Sequence, residues 1–172
     1  MTCLVALERE GRVWVGSDSF LGTDDVRDVG DRPKWFRRSG VFVGYAGSLR
    51  AAQVVENFAT FRRRDNGEAD LAYRVGGVAA GCRKALNAAR VRLSTAEFLL
   101  AYRGRAYTLQ NDYSVVRSSH GYVSIGAGSE IANGALAVLA EDADPREVID
   151  KVLRAAERHS TKVGGRFHVT CV

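Results

Sequence analysis

Six residues, Val41-Phe42-Val43-Gly44-Tyr45-Ala46, constrain the fold more than any others in the chain. The run is almost continuously apolar, rich in β-branched and aromatic side chains, and bounded by Ser39-Gly40 before it and Gly47-Ser48 after it. Such a run reads as a strand buried on both faces, so its sheet needs cover on both sides. The chain has the means to supply that cover. Its 172 residues amount to one domain with room for a real core. Hydrophobic residues make up 46% and charged residues 26%, the balance of a soluble globular protein, and two prolines leave little scope for extended linkers.

Taken in order, the chain alternates hairpins with pairs of helices. Thr2 to Leu7 and Val13 to Gly16 are β-rich runs around Arg9-Glu10-Gly11-Arg12, hence a hairpin that carries Asp18 back beside Thr2. Segment 19–32 is polar and rich in Gly and Asp; its length marks it as a functional or substrate-lining loop. Lys34 to Arg37 pairs with Val41 to Ala46 across Ser39-Gly40. Ser48 then caps a helix whose apolar face is Ala51, Val54, Val55, Phe58 and Phe61, running to Arg64. Asp65-Asn66-Gly67 breaks it, and Leu71, Val75, Val78, Cys82, Leu86 and Ala89 mark a second helix. Strands resume at 96–102 and 105–109, a hairpin across Arg103-Gly104, with shorter runs at 115–116 and 122–125.

Gly126-Ala127-Gly128-Ser129 opens a third helix with Ile131, Ala135, Val138 and Leu139 inward. Asp144-Pro145-Arg146-Glu147 combines an N-cap, Pro at N1 and a capping-box acid, and starts a fourth helix reaching about His159. Val148, Ile149, Val152, Leu153 and Ala156 form its inner face. After Gly164-Gly165 the chain closes with a strand over 167–172. The order ββββ-αα-ββββ-αα-β, built from hairpins, predicts a layered α+β fold. Two antiparallel sheets face to face, with a helix pair outside each, would bury every apolar face named. Residues 1–172 form a single domain with no linker or low-complexity tract.

Four positions in the first third of the chain carry chemistry. With Met1 removed, Thr2 holds a hydroxyl nucleophile and, in its own α-amine, a base of reference pKa about 7.7–8.0. Lys34 placed nearby would lower the pKa of that amine and favour its neutral form. Asp18 would hold the buried ammonium and balance its charge. The Gly47 N–H, where a strand gives way to a helix, is suited to stabilise an oxyanion. Cys3, one residue on from Thr2 along a strand, points the other way and reads as a small buried apolar residue.

The order Thr2, Asp18, Lys34, Gly47, with Val13-Trp14-Val15-Gly16-Ser17-Asp18 and Gly44-Tyr45-Ala46-Gly47, resembles the proteasome β-type and HslV-like peptidases. These belong to the N-terminal nucleophile hydrolases. The resemblance covers nearly the whole chain and implies a four-layer αββα sandwich. It implies a threonine endopeptidase with Thr2 as nucleophile, Asp18 and Lys34 as its electrostatic partners, and Gly47 as oxyanion donor. It also implies Tyr45 lining the pocket for the substrate side chain, unfolded polypeptide as substrate, and a homo-oligomeric ring fed by a separate AAA+ unfoldase. The sequence departs from the family where a supporting Ser is usual: Gly126-Ala127-Gly128 lacks that hydroxyl, with Ser129 the nearest stand-in, and Ser160 occupies the usual Asp position. Two other readings stay open: a non-catalytic shell protein that keeps Met1, and a small-amide hydrolase of the same superfamily.

Several function classes are disfavoured. The net charge of +5 comes from scattered residues, and the densest run, Arg62-Arg63-Arg64, is expected at a helix end, where cations complement the dipole; nucleic acid is not an expected partner. Cys3, Cys82 and Cys171 have neither disulfide nor zinc spacing, so a metal and a cofactor are not expected. His120 and His168 lie at no suggestive spacing from Cys or Ser and read as structural. Glu8-Arg9-Glu10-Gly11 interrupts any signal-peptide core, and no segment approaches the roughly 18 apolar residues of a membrane span. The expected location is a reducing cytoplasm, with no membrane association. No G-x-x-x-x-G-K-[ST] loop occurs, so any ATPase is a separate chain.

Overall fold

A computed structural model describes residues 2–22, 28–141 and 144–172; Met1 and the middle of the 19–32 loop, residues 23–27, lie outside the described residues. Among the described residues nine strands run in the order β1 (Leu4–Arg9), β2 (Arg12–Ser17), β3 (Trp35–Arg38), β4 (Val41–Gly47), β5 (Ala96–Tyr102), β6 (Arg105–Leu109), β7 (Val115–Val116), β8 (Tyr122–Ile125) and β9 (His168–Cys171). Between β4 and β5 come α1 (Leu49–Phe58), then α2 (Asp70–Tyr73) leading through a π-helical segment, Arg74–Ala79, into α3 (Ala80–Ala88). Helices α4 (Ser129–Leu139) and α5 (Pro145–His159) separate β8 from β9. Three hairpins share one turn chemistry. Glu10-Gly11, Ser39-Gly40 and Arg103-Gly104 each place two consecutive residues at positive φ, the two-residue turn whose twist matches that of the strands it joins.

The strands form two antiparallel sheets, ordered β8-β1-β2-β9 and β3-β4-β5-β6-β7. Alternation along β1 shows how the layers are assembled. Leu4 and Ala6 pack toward the second sheet, with Phe42, Ala46, Leu99 and Ala101. Cys3, Val5 and Leu7 pack the other way, onto Ala132, Leu136, Ile149 and Leu153 of α4 and α5. On the far side of the second sheet, Val41, Val43, Phe98 and Leu100 meet Val54, Val55, Cys82 and Leu86 of α1 and α3. Three apolar layers thus separate helices, sheet, sheet and helices, the expected four-layer αββα sandwich. Residues Val41–Gly44 and Ala46 are buried, as the continuous apolar run requires.

The helix starts follow the sequence closely, and the helix phases less so. The Ser48 side chain accepts from the Ala51 N–H at 3.2 Å, and the Asp144 side chain caps α5 through Arg146. All five expected inward residues of α5 are buried. By contrast α1 stops at Phe58 instead of Arg64. The chain turns extended at Ala59, leaves Phe58 71% exposed and brings Phe61 into the core from a loop. The cation at this helix end is Arg38 of β3, which donates to Glu56 O at 2.7 Å and to Ala59 O. Arg62 and Arg64 instead pair with Glu68 and Asp70, beyond the helix.

Two expected faces are rotated. The wider π-helical turns shift the register, so Leu71 and Val75 face outward while Tyr73, Val78, Ala79 and Cys82 face in. In α4, Ala132 and Leu136 are the fully buried pair, Ile131, Ala135 and Leu139 are partly buried, and Val138 is exposed. That helix is apolar on nearly every side, so periodicity does not fix its phase.

Two glycines set how closely the layers approach. A Cβ on Gly44 would stand 2.6 Å from Leu4 Cδ1, so β4 can lie against β1 only because that atom is absent. A Cβ on Gly16 would stand 2.2 Å from Ile149 Cγ2 and 3.0 Å from Leu153 Cδ1, which ties the height of α5 above β2 to the bare backbone. Gly16→Ala is therefore expected to cost roughly 1–3 kcal/mol of stability by overpacking. Chemical denaturation of Gly16→Ala, Ile149→Ala and the double variant checks this, with the double variant less destabilised than the sum. Strict additivity would contradict the contact.

Candidate active site

The site is built around Asp18, which lies at the end of β2 and is fully buried. Its Oδ1 accepts from the Cys3 N–H at 3.0 Å, and its own N–H donates to Cys3 O at 3.2 Å. Both backbone groups of the residue after Thr2 are thus fixed by one side chain and its amide. Oδ1 also receives the Lys34 ammonium at 2.8 Å, and Oδ2 accepts the Gly164 N–H at 3.3 Å. One carboxylate therefore joins four separate stretches: the start of β1, the end of β2, the residue before β3 and the turn after α5.

Lys34 is only 3% exposed. Its N–H donates to Ser17 Oγ at 3.3 Å and its carbonyl accepts from the Tyr45 N–H at 3.0 Å, so it is gripped by the end of β2 and by β4. Burial draws its pKa below the usual lysine value, while the Asp18 carboxylate works in the opposite direction. Cys3 points into the α4–α5 layer, as expected from strand alternation. Its thiol is pushed up to about 12, first by burial and then by Asp18, which keeps it protonated and inert.

Thr2 is buried, and its carbonyl accepts the Gly128 N–H at 3.2 Å. The turn leading into α4 closes on it from one side: a Cβ on Gly126 would lie 2.4 Å from Thr2 O and 3.1 Å from Ala46 Cβ. Gly47 ends β4 opposite Ala96 of β5, exposed and at φ +81°, where a Cβ would meet Thr95 O at 2.6 Å. Only glycine fits this position without strain. The Ser48 N–H donates to Thr95 O, and α1 begins immediately after.

Tyr45 alternates to the opposite face of β4. It is half-buried against Phe36, with ring centroids 6.4 Å apart, and burial raises its pKa. The Ser129 N–H donates to Gly126 O, and its carbonyl accepts from the Ser124 hydroxyl, itself 2.9 Å from Asn133 Oδ1. Thr2, Asp18, Lys34 and the β4 end are thereby brought together. Sequence reasoning missed three contributors, Ser17 Oγ, the Gly164 N–H and Glu97, whose Oε2 accepts the Gly126 N–H at 3.4 Å. Gly164 stands 146 residues from its partner, and no local pattern connects the two.

Among the described residues no three His, Cys, Asp or Glu side chains converge as a metal site, and no helix is long and apolar enough to cross a membrane. A groove of about 520 Å³ between α1 and α3, lined by Phe58, Thr60, Lys84 and Ala88, includes none of the residues around Thr2.

Scanned against protein-family models the sequence matches none, and a search of curated proteins returns no match. Solved structures do match over the full length. BPH of Thiobacillus denitrificans, in complex with epoxomicin, superposes with a TM-score of 0.79 at 16% identity, covering 99% of this chain and 97% of that one. HslV from Trypanosoma brucei gives 0.70 at 16% identity over 98% of both chains. Anbu, an ancestral β-subunit from Yersinia bercovieri, gives 0.72 at 16% identity over 100% of this chain and 81% of its own. At such identities the likeness is one of architecture: the chain has the N-terminal nucleophile hydrolase fold in the form shared by HslV and the Anbu β-subunit.

Proposed function

We propose that the protein is a threonine peptidase whose nucleophile is Thr2 after removal of Met1. The observation that carries this reading is the buried Lys34–Asp18 pair, locked to both backbone groups of Cys3. Burying two charges costs several kcal/mol per ion before their attraction is counted, and an apolar pair would fill the space at no such cost. An ammonium held next to the chain start supplies what an N-terminal base needs, a positive field that keeps the amine neutral near pH 7.

In the proposed reaction the Thr2 α-amine takes the hydroxyl proton as Oγ attacks the scissile carbonyl carbon. The oxyanion forms against the Gly47 N–H. The protonated amine then gives its proton to the leaving amine, the C–N bond breaks, and an ester on Thr2 remains. Water, deprotonated by the same amine, hydrolyses that ester and restores the hydroxyl. Tyr45, facing the α1 side of β4, is the proposed wall of the pocket for a substrate side chain, and Ser129 braces the turn above Thr2.

Substrate is unfolded polypeptide, admitted to a closed homo-oligomeric ring and supplied by a separate AAA+ unfoldase. Large apolar side chains left exposed on α1 and α4, Phe58 at 71% and Val138 at 77%, support burial against neighbouring copies. Light scattering is expected to give a high multiple of the 18.7 kDa chain mass; a monomeric mass would remove the ring.

Hydrolysis of fluorogenic peptides by processed protein tests the peptidase reading. Thr2→Ala is expected to lower kcat by roughly a thousandfold or more. Activity should rise with pH as the amine loses its proton, with a midpoint below its reference value of about 7.7–8.0. Lys34 lowers that pKa, so Lys34→Met should move the midpoint upward as well as reduce the rate. Undiminished cleavage by Thr2→Ala would end the proposal, and an unmoved midpoint in Lys34→Met would remove Lys34 from it.

A further inference from the structure

Glu97 plays no part in the reaction described above, yet it stands at its edge. It lies on β5 as the register partner of Ala46, one residue from Ala96, the partner of Gly47. Its neighbours on the same face of β5, Leu99 and Ala101, point between the sheets. The Glu97 side chain takes that direction too, where the gap opens to solvent, and reaches the Gly126 N–H of the opposite sheet at 3.4 Å. Gly126 rests on Thr2 O and Ala46, so the carboxylate stands where β4, β5 and the approach to α4 meet over Thr2.

The carboxylate is exposed, and that single long hydrogen bond leaves most of its acceptor sites unused. No cation pairs with it among the described residues, although the chain as a whole carries a net charge of +5. Of the charged groups placed around Thr2, Asp18 already has its counter-ion in Lys34. Among the described residues Glu97 is thus a carboxylate without a counter-charge at the rim.

Resting on the peptidase reading, we infer that Glu97 is a specificity-determining residue, selecting substrates with a basic side chain close to the scissile bond. A carbonyl held at Gly47 and attacked from Thr2 brings its flanking side chains past this carboxylate. A lysine or arginine there gains an ion pair; an acidic side chain meets repulsion and a desolvated like charge.

The test uses two peptides identical except for Arg or Glu beside the cleaved bond, and reads the ratio of their kcat/KM values. In the processed protein the Arg peptide is expected to lead by roughly fivefold, the scale of an exposed ion pair, and the lead should shrink as salt is raised. Glu97→Gln keeps an oxygen acceptor for the Gly126 N–H and should bring the ratio close to one, while Glu97→Lys should invert it. A ratio that is the same in all three proteins, or indifferent to salt, overturns the assignment while leaving the peptidase reading intact. Cleavage of neither peptide by the unaltered protein would overturn both.

Discussion

The arrangement depends on one buried carboxylate. Asp18 is fully enclosed, and an isolated charge in that position would be prohibitive, so its partners are obligatory. Lys34 supplies the counter-charge at 2.8 Å, and the amides of Cys3 and Gly164 supply neutral hydrogen bonds. Each partner comes from a different part of the chain. Satisfying Asp18 therefore requires the first hairpin, the segment ahead of β3 and the turn after α5 to be in place together. Thr2, attached directly to Cys3, inherits its position from this network. The same enclosure that makes the ion pair costly makes it strong, because its field is little screened by water.

The packing around the network explains how such a cost is tolerated. Apolar layers lie on both sides of each sheet, and fully buried Val, Leu, Ile or Phe side chains contribute about 1.5–3 kcal/mol apiece. The bare backbones at Gly44 and Gly16 let the second sheet and α5 close on the first sheet without a gap. Close approach of the sheets is also what brings the end of β4, with Gly47, toward the start of β1. Fold stability and site geometry thus rest on the same contacts. The Thr2 end of the inter-sheet space is where the apolar filling stops and polar groups, Glu97 among them, take over.

Much of this was legible in the sequence where a signal was local. The Glu10-Gly11, Ser39-Gly40 and Arg103-Gly104 turns, the Ser48 and Asp144 caps and the inward face of α5 follow from short patterns with a single physical meaning. The first hairpin places Asp18 beside Thr2, whereas the pairing of Asp18 with Lys34 follows from the resemblance to the proteasome β-type peptidases, since β3 lies in the other sheet and no local pattern brings the two together. What escaped was either ambiguous in phase or long in range. An apolar α4 does not announce its buried side, and the π-helical turns at Arg74–Ala79 rotate a face that regular spacing places elsewhere. The Phe58 end of α1 is decided by Arg38 from another strand and by the inward turn at Ala59. Gly164 and Glu97 join the site only through tertiary contacts, and nothing beside them in the chain marks that role.

The central claim is that Thr2 acts through a free α-amine, so the most direct measurement is the intact mass of the protein isolated from its native host. The account predicts a mass smaller than that of the 172-residue chain by one methionine residue. Retention of Met1 would leave the amine in a peptide bond, with no base on Thr2, and would contradict it.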